Sequence, residues 1–462
     1  MKKPLRNRPP APCAVAREQV VANPTLARSP GVRRTTTGLT TIVALVGFFL
    51  VGATPAQAAT GVGKSGNTLT ISAAPGATNK ITISRSNDTF TIRDGGDPIS
   101  SGTGCGGFPP IVPITCSAVG ITQVVVNAGD LNDTVTSNSF GVRTTIHGGS
   151  GNDTLMAGPA SGPVNFFGED GGDVLLGGLN ADVFDGGAGA DTMIGGGSND
   201  LVDYSKREER VLVSLDNAAN DGQTFEGDNV APDIESISGG SGNDILTGSQ
   251  LSNTIDGNGG DDILNGGNGD DVLRGGPGAD RVDGGSQNDR MEGGDGNDVL
   301  VGGTLANTPS PLASDTDVLL GGPGTDTADY TTRTVPVRVS IDDLANDGQI
   351  GGAAIEADNV RADVENIDGG SAADVLTGND RTNRIRGFAG ADKIDGLGSN
   401  DSLTGGADND TITGGAGTDA MAGNNGEDTI LAVDGVAETL QGGNQSDRCV
   451  GDAVDAKASC ER

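Results

Sequence analysis

The chain has 462 residues with 79 Gly, 63 Asp+Glu against 29 Lys+Arg, one His and no Trp, giving a formal charge of −34 and a pI near 4.1. So acidic a chain repels phosphate backbones, which excludes a nucleic-acid partner, and a lone imidazole excludes the two-histidine helix of zinc proteases. Glycine at this level beside 3% aromatic residues reads as low complexity unless the glycine is periodic.

In chain order, residues 1–41 carry Lys2, Lys3, Arg6, Arg8, Arg17, Arg28, Arg33 and Arg34 against Glu18, and an apolar run from Ile42 to Ala53 leads to Ala56-Gln57-Ala58. A basic region, a short apolar core and an A-x-A end predict a signal peptide over 1–58, cut before Ala59, and hence a secreted, extracellular protein. The run is too short for a bilayer span, which takes about 20 residues. General secretory export and a twin-arginine route through Arg33-Arg34 both stay open. Loss of this segment leaves a still more acidic chain, with no transmembrane segment expected after it.

Residues 59–147 hold TLTIS, KITIS, TFTIR and QVVVN, alternating strands that predict an amino-terminal β cap. Then a nine-residue period begins. Single units stand at 148–156 (GGSGNDTLM) and 321–329 (GGPGTDTAD), four fill 168–203, seven fill 239–301 (GGSGNDILT, GSQLSNTID, GNGGDDILN, GGNGDDVLR, GGPGADRVD, GGSQNDRME, GGDGNDVLV) and seven fill 369–431. The glycine is periodic, so low complexity is excluded.

Position 8 is apolar (Leu246, Ile255, Leu264, Leu273, Val282, Met291, Leu300) between more polar neighbours, which predicts a three-residue strand with one inward side chain. Glycines in positions 1–6 allow tight turns, and position 6 brings an Asp to a fixed place. Strand and turn alternating predict coils of about 18 residues, stacked so that the turns of units i and i+2 form carboxylate ladders about 4.8 Å apart. A hard cation that accepts many oxygens suits such a ladder, Ca²⁺ before Mg²⁺.

These units resemble the hemolysin-type calcium-binding repeat family, the RTX proteins, whose nonapeptide is G-G-x-G-x-D-x-U-x. The resemblance covers 148–203, 239–303 and 369–431. It implies an all-β, right-handed parallel β-roll or β-helix solenoid in which each Ca²⁺ sits between same-edge turns. The ligands it implies are Asp173, Asp182, Asp191, Asp200, Asp244, Asp262, Asp271, Asp280, Asp289, Asp298, Asp374, Asp392, Asp401, Asp410, Asp419 and Asp428. Asp153, Asp317 and Asp326 fit locally but lack repeat neighbours on both sides. Roughly a dozen ions follow if the first two units of each block complete no site. Asn253 and Asn383 at position 6 should bind more weakly, and the early unit AGDLNDTVT (128–136) keeps Asp133 but puts Leu131 at position 4.

Two insertions, 204–238 and 304–368, interrupt the blocks and resemble each other along DYSKREERVLVSLDNAANDGQ from Asp203 and DYTTRTVPVRVSIDDLANDGQ from Asp329. Alternating Val211, Val213, Leu215 and Val337, Val339, Ile341 predict half-buried strands. Tyr204 and Tyr330, equivalently placed, read as packing residues. In 432–462, Cys449 and Cys460 are spaced like Cys105 and Cys116, which predicts two disulfides and a carboxyl-terminal cap, with a metal-thiolate site the weaker alternative. Each bridge closes a small loop and would contribute roughly 2–3 kcal/mol.

Enzymatic chemistry finds little support. No G-x-S-x-G elbow, helix-opening G-x-G-x-x-G or EF-hand loop is present, and His147 reads as a surface or edge residue. Carboxylate-only hydrolase or lyase action on a polysaccharide is the enzymatic alternative, and an adhesin or matrix component, with cell-surface partners, is the interaction alternative. The preferred reading is a secreted, non-enzymatic calcium-binding module.

Overall fold

One aliphatic side chain per nine-residue unit gains by leaving water, and it sets the strand. The computed structural model describes residues 59–107, 113–303, 316–350 and 356–461; the predicted signal peptide lies outside them. Within the compact unit Pro55–Arg462 the described residues are all-β. In Ile245–Thr247, Thr254–Asp256 and Ile263–Asn265 only the middle residue, Leu246, Ile255 or Leu264, is fully buried. Successive strands alternate between two faces, so Leu246 registers with Leu264 and Ile255 with Leu273 in parallel ladders. The chain is a parallel β-roll whose 18-residue coils stack one apolar column from each face into a common core.

Antiparallel strands fill the amino-terminal end. Thr60–Ser65 pairs with Thr68–Ser72, and Lys80–Ser86 with Thr89–Asp94, before Gln123–Asp130 and Thr134–Asn138 open the parallel ladders. Phe90, Ile92 and Ile114 are buried there, and the Cys105–Cys116 disulfide joins two paired strands. At the other end Thr439–Asn444, Arg448–Gly451 and Ala456–Ala458 extend both faces. Residues 442–450, GGNQSDRCV, form one more repeat unit with Cys449 at position 8, opposite Ile430. The Cys449–Cys460 disulfide closes that coil.

Each insertion replaces one face while the other continues. At the first, a 9-stranded sheet ends on Asn229–Val230 and a 13-stranded sheet begins at Gly222–Gln223 and Val211–Ser214, an antiparallel pair, while the 14-stranded sheet opposite runs on unbroken. At the second, that 14-stranded sheet ends on Asn359–Val360 and a 7-stranded one begins at the antiparallel pair Gly348–Gln349 and Val337–Ser340. Nine strand-to-strand steps lie between Ser236–Ser238, which follows the first break, and Thr327–Asp329, which precedes the second. Nine is odd, so the related insertions act on opposite faces. One aspartate stitches each break: Asp221 accepts the N–H groups of Ser214 (2.7 Å) and Val230 (2.9 Å), and Asp347 those of Ser340 (2.7 Å) and Val360 (2.9 Å).

Candidate metal centre

Position 6 ends the turn just before the strand, which puts its side chain inside the roll at the edge. Every position-6 Asp of the repeats is buried, at 0–3% exposure. One carboxylate oxygen reaches back a coil: Asp262, Asp280 and Asp298 Oδ1 accept the N–H of Asp244 (2.7 Å), Asp262 (2.7 Å) and Asp280 (2.8 Å). On the other edge Asp271 and Asp289 accept from Asn253 (2.6 Å) and Asp271 (2.8 Å). The same ladder runs through Asp392, Asp401, Asp410, Asp419 and Asp428.

The second oxygen is different. Oδ2 of Asp153, Asp173, Asp191, Asp200, Asp262, Asp271, Asp280, Asp298, Asp326, Asp392, Asp401, Asp410, Asp419 and Asp428 is buried without a hydrogen-bond donor. Burial first, then neighbouring carboxylates, push these acids up: Asp173 and Asp280 to about 6, Asp191, Asp262 and Asp410 to about 7, and Asp392 to about 8. A buried anionic oxygen that no donor meets is costly and calls for a cation.

The edge-starting turns differ from those above them. Asp182, Asp244 and Asp374 lie over turns that are not repeats, and both of their oxygens are taken. Oδ1 accepts from Val164, Val211 and Val337, and Oδ2 from the position-2 N–H of Gly178, Gly240 and Gly370, each at 2.7 Å. Asn253 and Asn383 start the partner edges. Their Oδ1 accepts the position-2 N–H of Ser249 (2.7 Å) and Asn379 (2.8 Å), and their Nδ2 donates to the carbonyls of Glu235 (3.2 Å) and Glu365 (2.8 Å). The amide thus follows Glu235 and Glu365 on the face that runs through each break, and there it bonds the carbonyl of the turn before instead of leaving a bare oxygen.

The expectation that Asp153, Asp317 and Asp326 lack neighbours is corrected. Asp153 Oδ1 accepts from Asp133 N–H and its own N–H donates to Asp173, both at 2.7 Å. Asp317 lies between Asp289 and Asp358, and Asp326 between Asp298 and Glu365. Longer coils keep the register because the ladder bonds join turns, not sequence intervals. The insertions thus supply ladder acids that periodicity missed: Asp228 and Glu235 accept from Asp191 (3.0 Å) and Asp200 (2.9 Å) as Asp358 and Glu365 do from Asp317 (3.1 Å) and Asp326 (2.9 Å). Their signal lay in the recurring GDNV/ADNV and DIESI/DVENI segments. Tyr204 and Tyr330 are buried and donate through their hydroxyls to Asp228 (2.8 Å) and Asp358 (3.1 Å).

Backbone oxygens complete the edge. Gly278, at position 4 with φ 151°, has the carbonyl oxygen of Gly260 where a Cβ would stand, 1.9 Å from it; Gly276, at position 2, meets Asn258 O at 2.0 Å. Any side chain there would have to displace the stacked carbonyls. The donor set is carboxylate and carbonyl oxygen throughout, and among the described residues no three acidic, His or Cys side chains converge into one cluster. Carboxylates come singly per turn, so an ion here needs carbonyls and two turns, which suits the many-oxygen, loosely shaped coordination of Ca²⁺.

His147 lies on the outer surface, its Nδ1 2.8 Å from Glu169 Oε1 and its ring stacked on Phe167 at 4.8 Å, with the Lys206 ammonium over that same phenyl ring. No helix among the described residues is long and apolar enough to cross a membrane. The family model for the RTX calcium-binding nonapeptide repeat (4 copies) matches residues 145–159, 167–202, 238–273, 274–308, 368–403 and 395–430. No curated protein matches the chain.

Proposed function

Because the chain belongs to the RTX calcium-binding repeat proteins, we propose that it is a secreted protein whose roll folds on Ca²⁺ and then serves as a rigid structural or binding module. The observation that carries this reading is the run of buried position-6 carboxylates of which fourteen, among them Asp173, Asp262, Asp280, Asp392 and Asp410, have one oxygen bonded to the backbone of the coil before and the other without a donor. Calcium bound at these oxygens and the stacked carbonyls would neutralise the ladder, so its binding free energy becomes folding free energy. Export rests on the predicted signal segment and on two disulfides, which persist in oxidising compartments. Sites of extracellular modules bind at ~10⁻⁴–10⁻³ M, so the acidic chain would stay unfolded inside the cell and fold outside. The test is far-UV circular dichroism of the chain from Ala59, stripped with chelator and titrated with Ca²⁺, with Mg²⁺ as control. A cooperative gain of β-structure with Ca²⁺ alone is expected; full β-structure that calcium leaves unchanged would remove the reading.

A further inference from the structure

His147 is the chain's one histidine, and the roll places it beside Phe167 on the outer face of the 14-stranded sheet. Parallel ladders set the side chains of successive coils in columns. The rings of His147 and Phe167 stack at 4.8 Å, with Asp185 next in the column. The other stacked pair among the described residues, Phe166 and Phe184, is sealed in the core. After Asp203 the first insertion turns back over this face. Lys206 Nζ donates to Asp185 Oδ2 (2.8 Å) and stands 4.8 Å from the Phe167 centroid, while the Arg207 guanidinium is held by Gly187 O and Glu226 Oε1. Between loop and sheet lies a pocket of about 550 Å³, within the range of roughly 300–1,000 Å³ usual for small-molecule sites.

The second insertion is an internal comparison. It keeps the buried frame, with Tyr330 for Tyr204, Arg333 for Arg207 and Glu356 for Glu226, and Arg333 is again bonded to the glutamate. The column beneath it differs. Strand register sets Asn265, Asp283 and Val301 where His147, Phe167 and Asp185 stand, and Thr332 takes the place of Lys206. Holding the insertion on the roll therefore needs neither the ring pair nor the ammonium and its carboxylate.

The charges select the ligand. Lys206 already fills a cation's place over Phe167 and at Asp185. An anion would meet Glu169, Asp170, Asp185 and Asp203 against Lys206 and Arg207, and the balance repels it. An uncharged molecule fits if it offers an apolar C–H face to the rings and hydroxyls that donate to carboxylates and accept from an ammonium. We propose that this pocket binds a neutral pyranose sugar, packed on the His147–Phe167 pair, with Glu169 and Asp185 accepting from its hydroxyls and Lys206 donating to one of its oxygens. The inference gives the binding module a ligand, and in that respect rests on the reading above.

The test follows the imidazole Hε1–Cε1 NMR signal of the histidine-labelled, disulfide-intact chain from Ala59 in saturating Ca²⁺, a signal that comes from His147 alone. The probes are glucose, galactose, mannose and N-acetylglucosamine, each free and as its methyl glycoside, with glucuronate and glucosamine as charged controls. A saturable shift with at least one neutral sugar is expected; a glycoside that binds like the free sugar marks a glycan end as the source, and one that is rejected marks a free sugar. Phe167→Asp and Lys206→Thr copy Asp283 and Thr332, which the second insertion accommodates, so both variants should fold, and each should weaken binding roughly tenfold or more. No shift with any neutral sugar, a shift with the charged controls alone, or unaltered affinity in both variants would overturn the inference. Far-UV circular dichroism of the same samples separates the two readings. A roll that folds on Ca²⁺ yet takes no sugar removes the pocket alone, and sugar binding that persists in chelator with full β-structure removes the calcium reading alone.

Discussion

At the residue scale, position 6 carries two chemistries in one sequence slot. Asp262 has a bare Oδ2, whereas both oxygens of Asp244 accept backbone N–H groups. Asp262→Asn should therefore raise the calcium midpoint of its block while leaving the metal-free chain no less stable, since it removes a buried like charge. Asp244→Asn should cost about 1–3 kcal/mol with or without calcium, because an amide NH₂ would face an N–H donor; urea unfolding in chelator and in Ca²⁺ separates the two. Acidity follows the same oxygens. The folded pKa values of about 6 to 8 at Asp173, Asp191, Asp262 and Asp392 stand above the ordinary 3.8, so the folded chain holds protons the unfolded chain releases. Metal-free stability is then full below about pH 4 and is lost as pH rises through 6 to 8. In chelator the urea midpoint should be higher at pH 5 than at pH 8, and saturating Ca²⁺ should reverse that order. Backbone strain adds a third case. Leu397 holds a position-2 turn at φ 73° and is 43% exposed, a conformation that costs a branched residue on the order of 1–2 kcal/mol. Leu397→Gly, after the entropy glycine loses on folding, should gain roughly 0.5–1 kcal/mol, read as a higher melting temperature.

At the element scale, the repeat strand was legible in the sequence because a single residue type at a fixed interval decides it: position 8 points inward wherever it recurs, from Leu246 to Leu300. The position-6 carboxylates were legible for the same reason. Hydrogen bonds between turns were not, since they link residues whose separation varies. Asp289 meets Asp317 across 28 residues and Asp191 meets Asp228 across 37, so periodicity could not foresee that lengthened coils would stay in register. The last unit, GGNQSDRCV, was hidden because its position 8 is a cysteine, which drew attention as a disulfide partner and not as a core residue. Within the insertions the paired tyrosines have a task beyond filling space. Tyr204→Phe would leave Asp228 Oδ2 without its donor, and the loss should be on the order of 1–3 kcal/mol, measured by thermal unfolding in Ca²⁺. Tyr330→Phe, with the equivalent bond to Asp358, should behave alike.

At the scale of the whole molecule, a solenoid coil touches only its neighbours, so cooperativity depends on every junction holding. The two insertions are the places where a sheet stops. They stop different faces, and at each the sheet opposite passes through: Leu201–Asp203 pairs with Ser236–Ser238 across the first break, and Thr327–Asp329 with Asn366–Asp368 across the second. No level of the roll is therefore interrupted on both faces, and each broken face is bridged by one buried aspartate with two backbone donors together with backbone bonds such as the reciprocal pairs Asp221–Asp228 and Asp347–Asp358. Asp221→Ala removes the stitch between Ser214 and Val230 and strands two buried N–H groups, a loss of about 2–6 kcal/mol at roughly 1–3 each. That loss falls on one junction only. The coils on the amino-terminal side of residue 204 and those beyond it would then be coupled by the continuous sheet and the backbone bonds left at the break, Asn217 N–H to Val230 O and the Asp221–Asp228 pair. Calorimetry in saturating Ca²⁺ should show one transition for wild type and two for Asp221→Ala, the lower one accompanied by hydrogen exchange confined to one side of the break. A variant that melts in one transition, merely at a lower temperature, would mean that the continuous face and the remaining backbone bonds couple the roll and that the aspartate stitch contributes only local stability.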